Sequence, residues 1–262
     1  MGAYDKLKEG RVGEERINKQ GCLMKVAEYN KSSDISVEFQ DEYKVNVHTS
    51  YASFCKGDVK NPYAPSVFGV GKIGLKYPVS IGKRAIKEYS AWRSVLIRCF
   101  DKKEKEKHHT YQNVICCDEW LLYENFYEWL HRQDNFSKWL NGDLWAIDKD
   151  ILVKGNKAYT PDTCCLVPNN VNKLFTKSDS ARGDLPIGVR MCGNKFQARC
   201  MNPFMKQLEH LGTYDTIDKA FYAYKKYKEE IIKLVAVDEF NKGNIIKDCY
   251  NAMMNYKVEI TD

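Results

Sequence analysis

The 262-residue chain contains no apolar run long enough to cross a bilayer, which excludes a helical membrane span and sets a soluble protein as the expectation. It also lacks CxxC spacing. Its ten cysteines include the adjacent pairs Cys116-Cys117 and Cys164-Cys165, and neither pair forms an ordinary zinc knuckle. Nothing resembling a secretory signal opens the chain, so the thiols are expected to stay free, as small core side chains in a reducing, cytoplasmic host-cell setting. Two such pairs meeting as a four-thiolate site is the alternative. The glycine-rich stretch Gly69-Val70-Gly71-Lys72-Ile73-Gly74 is missing the Gly-Lys-Ser/Thr ending of a phosphate-cradling loop and reads as a linker or tight strand connection. Strong charge is absent as well. The 41 Lys and Arg against 35 Asp and Glu leave +6, compatible with a polyanionic partner but too little to specify one.

Apolar residues make up 44% of the chain and aromatics 13%, ample for buried cores in roughly one to three domains. After a charged, poorly patterned start, Leu23 to Tyr29, Ile35 to Phe39 and Tyr43 to Thr49 alternate apolar with polar residues, separated by turn-forming clusters. This predicts a small antiparallel β module over 1–76. A basic connector leads into a helix over Glu88 to Phe100. The run Asp101 to His109 is so polar that it predicts a solvated loop, and its adjacent histidines point apart. Asp118 to Gln133 places Trp120, Tyr123, Phe126, Tyr127 and Leu130 at helical spacing, as core.

Two further stretches carry the functional reading. Asp148 to Leu152, Gly155 to Pro168 and then Asn172 read as strand, turn, strand and helix. From Leu185 onward, alternation in Ile187 to Arg190 and in Phe196 to Cys200, around the hairpin signal Cys192-Gly193-Asn194, predicts strands. Asp215 or Thr216 then caps a long helix with Ala220, Tyr224, Tyr227, Ile231, Leu234 and Val235 on one stripe. Which of Arg190, Gln197 and Arg199 share a face depends on register. A last segment, Phe240 to Val258, carries Ile245, Cys249, Ala252, Met253 and Tyr256, and is suited to covering a core or to dimerisation.

The strings GVR at 188–190, GNKFQARC at 193–200 and HLGTYDTIDKAFYAYKKY at 210–227 resemble the ethylene-response-factor type of DNA-binding domain, known from plant transcription factors and from nucleases of phages and mobile elements. The resemblance implies a three-stranded sheet that enters the major groove with a supporting helix behind it. It also implies Gly188 and Gly212 at tight backbone positions and Ala198 and Ala220 where sheet and helix approach. Arg190, Lys195, Gln197, Arg199 and Lys206 become the DNA-facing set. The preceding strand-turn-strand-helix, with the helical segments before it, is similar to the HNH type of ββα-metal nuclease that phages join to such domains; together the two cover roughly 88–236.

A nuclease of that type activates water with a histidine and stabilises phosphate charge with a divalent ion. By the resemblance, Asp148 takes the metal-binding carboxylate position, Lys149 falls where the histidine belongs, Thr163 replaces an asparagine, and Asn172 matches the remaining ligand. A lysine near phosphates is ordinarily protonated and cannot accept a proton. One reading is an active homing-type or nicking endonuclease, with Asp148, Asp150 and Asn172 holding a magnesium-like ion and His108 or His109 supplying the base. The favoured reading is a degenerate nuclease fold in a double-stranded-DNA-binding phage or mobile-element protein. A third is an inhibitor of a host defence nucleoprotein such as a CRISPR effector. The expected architecture is α+β, with an N-terminal β module (1–76), a central helix-rich ββα-like module (77–180) and a C-terminal three-stranded sheet packed on a long helix (181–262).

Overall fold

The computed structural model describes residues 10–176 and 185–262, so the first residues of the poorly patterned start lie outside the described part. The fold is α+β. Contacts divide the chain into two compact units, Met1–Gln112 with Asp118–Tyr127, and Asn113–Cys117 with Glu128–Asp262.

In the first unit, strands β1 (Glu15–Ile17), β2 (Leu23–Lys31), β3 (Asp34–Phe39) and β4 (Asn46–Thr49) form an antiparallel sheet in sequential order. Alternation buries Met24 and Val26 against Ile35, Val37 and Phe39, with Phe54 of α1 (Tyr51–Lys56) completing the core. A register shift after Val26 changes the parity of β2, so Tyr29 falls inward. The last strand begins at Asn46 rather than Tyr43 because Asp41 Oδ1 accepts the backbone N–H of Tyr43 and Lys44 and makes a turn there. The glycine-rich stretch includes a tight turn in which Gly71 N–H donates to the Val67 carbonyl at 2.8 Å.

A two-stranded hairpin, β5 (Ser80–Ile81) and β6 (Arg84–Ala85), precedes α2 (Lys87–Phe100), which buries Trp92, Val95, Leu96 and Cys99. The polar run expected to be a loop instead forms helix α3 (Lys102–Lys107). Asp101 starts it, its carboxylate accepting the Glu104 N–H at 2.8 Å. The single helix expected over Asp118 to Gln133 is divided into a 3₁₀ turn, Asp118–Leu121, and α4 (Tyr123–His131).

The second unit holds β7 (Ile115–Cys116), α5 (Phe136–Asn141), β8 (Trp145–Asp148), β9 (Ala158–Tyr159), β10 (Cys165–Pro168) and α6 (Asn169–Leu174). β7 pairs parallel with β9, and β8 pairs antiparallel with β10. Then follow β11 (Val189–Cys192), β12 (Lys195–Asn202) and β13 (Gln207–Tyr214), an antiparallel three-stranded sheet, and helices α7 (Ile217–Asn241) and α8 (Lys247–Met254). Thr216 caps α7 by accepting the Lys219 N–H.

At 25 residues α7 is about 37 Å long, and it serves two cores. Its first turns bury Ala220, Phe221 and Tyr224 against Val189, Ala198 and Cys200 of the sheet. Farther along, Ile231, Ile232, Val235 and Ala236 pack with Cys165, Val167, Val171 and Leu174, and Ile245, Cys249 and Met253 close the same core. The final helical segment therefore covers a core.

Gly188 has φ +78°, and a Cβ there would lie 2.0 Å from the Tyr224 ring. The left-handed backbone and the ring together require glycine. Gly188→Ala is expected to cost about 2–3 kcal/mol, summing backbone strain and overpacking, read from the urea midpoint at unchanged m-value. A variant as stable as the parent would mean that Tyr224 gives way.

Candidate nucleic-acid interface

Register settles which side chains share the outer face of the three-stranded sheet. In β12, Phe196, Ala198 and Cys200 point to α7, which leaves Lys195, Gln197, Arg199 and Met201 on the other side. Arg190 pairs with Gln197, which pairs with Thr213, so these three form one row. Arg199 pairs with His210 in the next row, after a register shift between Ala198 and Arg199. The outward strand positions therefore carry Arg190, Lys195, Gln197 and Arg199 together, with His210 and Thr213 added, and the acidic residue at their edge is Asp215, just past β13.

The polar groups of this face are already connected. Arg190 Nε donates to Gln197 Oε1 at 2.6 Å, and the Thr213 hydroxyl lies 3.4 Å from His210 Nε2. Lys195 sits at the β11–β12 turn and pairs with Asp215 at 2.9 Å, a contact between two exposed side chains that solvent weakens. That hydrogen-bonded partner raises the Lys195 pKa and lowers that of Asp215. Lys206 stands apart from the rows, in the β12–β13 turn with φ +53°. His210 and Thr213 escaped sequence reading because the irregularity near Leu211 breaks the period-two pattern of β13.

The strand-turn-strand-helix stretch is arranged differently. β8 ends at Asp148, and Asp148 Oδ1 accepts the N–H of Asp150 at 2.7 Å and of Ile151 at 2.8 Å. This Asx turn competes with the ladder, so residues 149–152, expected to be strand, bend away instead. Lys149 is buried. Its ammonium donates to Asp150 Oδ2 at 2.6 Å and to the Asn156 carbonyl at 3.0 Å. Asn156 fastens the turn by donating to the carbonyls of Lys149 and Ala158. Thr163 completes an adjacent turn, bonding to Thr160 and to the Ala158 carbonyl. Asn172 is half-buried on α6, where its carbonyl accepts the Phe175 N–H.

These residues do not fit a divalent ion. Asp148 Oδ1 is engaged by backbone donors, and Asp150 Oδ2 is already paired with the Lys149 ammonium, a positive charge that repels a divalent ion there. Among the described residues, no three His, Cys, Asp or Glu side chains are grouped to hold a metal. Burial pushes the Cys164 thiol up to about 12, and the neighbouring Cys249 together with burial pushes Cys165 well up. Both are therefore protonated thiols at neutral pH.

Burial also raises the Asp148 carboxyl above its ordinary value, outweighing the two backbone donors, which act the other way. A carboxyl raised in the folded state favours folding below its unfolded pKa of about 3.9, and that contribution is lost as pH rises through the folded value. Asp148→Asn keeps the Oδ1 acceptor and removes the charge. It is expected to be at least as stable as the parent at pH 7, with the difference shrinking on acidification through the carboxylate range. Denaturation midpoints at pH 7 and pH 4 check this, and a loss of stability at pH 7 would mean that the charge itself is needed.

Comparison of the chain with protein-family models, with curated proteins and with solved structures gives no match.

Proposed function

We propose that this is a double-stranded-DNA-binding protein of the kind found in phages and mobile elements, with the β11–β13 sheet as its binding surface and the ββα stretch kept as a scaffold. The observation that carries the reading is the outward face itself. It joins guanidinium groups on Arg190 and Arg199 to the amide of Gln197 and to His210 across paired strands, and the one carboxylate within those strands, Glu209, is opposite Cys200 on the other face. Guanidinium and amide side chains at that spacing suit phosphate oxygens and base edges in a groove wide enough for a two-stranded ribbon.

The scaffold reading of the ββα stretch rests on Lys149. It stands where the nuclease family has its base, and its ammonium is bound to Asp150 and to the Asn156 carbonyl. An ammonium so held does not take a proton from water, and general-base help is worth about 10²–10⁴-fold. The protein is therefore expected to retard duplex DNA in a gel while leaving supercoiled plasmid intact in magnesium or manganese. Nicking at a defined site that Asp148→Ala or Asn172→Ala stops would replace this reading with that of an active endonuclease.

A further inference from the structure

Beyond Arg199 and His210, the β12–β13 hairpin ends in an apolar cluster. Met201, Phe204, Met205 and Leu208 are 53%, 50%, 64% and 47% exposed. The turn that presents them is braced. Asn202 Oδ1 accepts the N–H of Phe204 at 3.0 Å and of Met205 at 3.2 Å, while Asn202 Nδ2 donates to the Tyr227 hydroxyl on α7 at 3.1 Å. Pro203 restricts the backbone between them. Met201 pairs with Leu208 across the ladder on the outward side, the row next to that of Arg199 and His210.

We infer that this tip is an apolar wedge that enters a base step of the duplex held by the Arg190–Arg199 face; the inference rests on the DNA-binding reading. Three features favour a base step over a protein pocket. Two residues of strand put Met201 only about 7 Å beyond Arg199, so a duplex in contact with the arginine lies within reach of the tip. Between Met201 and Leu208 the only charged residue is Lys206, and the nearest carboxylate, Glu209, belongs to the other face of β13, opposite Cys200, and accepts from Gln207 Nε2 at 2.8 Å. Finally, four half-exposed side chains of about 200 Å² each offer ~400 Å², half of the ~800 Å² per partner of an ordinary protein interface, yet enough for a wedge. Phe, Met and Leu are side chains that unstack base steps in this manner, at a cost offset by contacts made on the kinked duplex.

The test uses the full chain and a panel of mixed-sequence duplexes with 2-aminopurine beside TA and CA steps, which unstack most readily. Wild-type protein is expected to raise the probe's fluorescence several-fold on at least one duplex. Phe204→Ala with Met205→Ala should abolish that rise, with less than ~10-fold change in affinity and no change in the salt dependence of binding, since no phosphate contact is removed. Phe204→Leu, which keeps an apolar tip, should retain most of the rise, and thermal melts of all variants should match the parent. Binding with an ordinary salt dependence but no fluorescence rise, or a rise that the double variant keeps, would sink the wedge and leave the DNA-binding reading intact. Failure of the wild-type protein to bind any duplex would remove both. A double variant that behaves normally on DNA but loses a protein partner would overturn the wedge in favour of a docking tip.

Discussion

Replacing Arg190 and Arg199 together by alanine is expected to weaken duplex binding on the order of 100-fold near physiological salt, and to flatten the plot of log affinity against log salt by about two units of slope. The two guanidinium groups stand in adjacent rows of one face, where Arg190 is bonded to the neutral Gln197 amide. Each contact to phosphate releases about one counterion, which fixes the slope independently of sequence. If one arginine instead reads a guanine edge, its single loss should cost about 1–3 kcal/mol and relax preference at that base, while the slope changes less. An unchanged salt plot in the double variant would remove the sheet as the binding surface. Fluorescence anisotropy over a salt series distinguishes these results.

A second large effect is expected from Ile232→Ala, at about 4 kcal/mol. Ile232 is fully inaccessible, in the core that β10, α6 and α8 build on α7, and such truncations cost about 2–5 kcal/mol according to how well the site collapses. The same helix backs the three-stranded sheet through Ala220 and Tyr224. Amides in β12 should therefore lose hydrogen-exchange protection in step with those in β10, although the substitution lies far from the sheet. If β12 amides kept their protection while β10 opened, the two cores would be energetically separate.

Strands and long helices were legible where burial imposes a period. Met24 to Phe39 alternate because one face of that sheet is core, and α7 has a helical stripe because two cores press on it. Helix α3 was not, because it buries nothing: its stability comes from the Asp101 cap and from charged side chains, which leave no apolar rhythm. Asp148 to Leu152 read as strand from residue type, whereas one carboxylate claiming two backbone donors turned the chain. In the candidate interface, Arg190, Gln197 and Arg199 could be named from sequence, but their shared face required the register. His210 was hidden by the irregularity beside Leu211. The apolar tip escaped for a different reason: sequence alone does not separate exposed Phe204 and Met205 from buried ones.

The bond from Arg190 Nε to Gln197 Oε1 has a consequence for selectivity. A free arginine loses rotamer freedom on meeting a ligand, at about 0.5–1.5 kcal/mol for an immobilised long side chain. Here part of that ordering is done before any ligand arrives, and the terminal guanidinium nitrogens remain as a fork of fixed direction. On the proposed DNA-binding reading, a fork directed by Gln197 would favour the base pair it points to, and a mismatch there would leave donors unpaired. Lys195, with a flexible stem and a weak exposed partner in Asp215, follows the backbone wherever it runs. On the proposed reading, any base discrimination by this face would centre on the row of Arg190 and Gln197, with tolerance at the Lys195 end of the same strand.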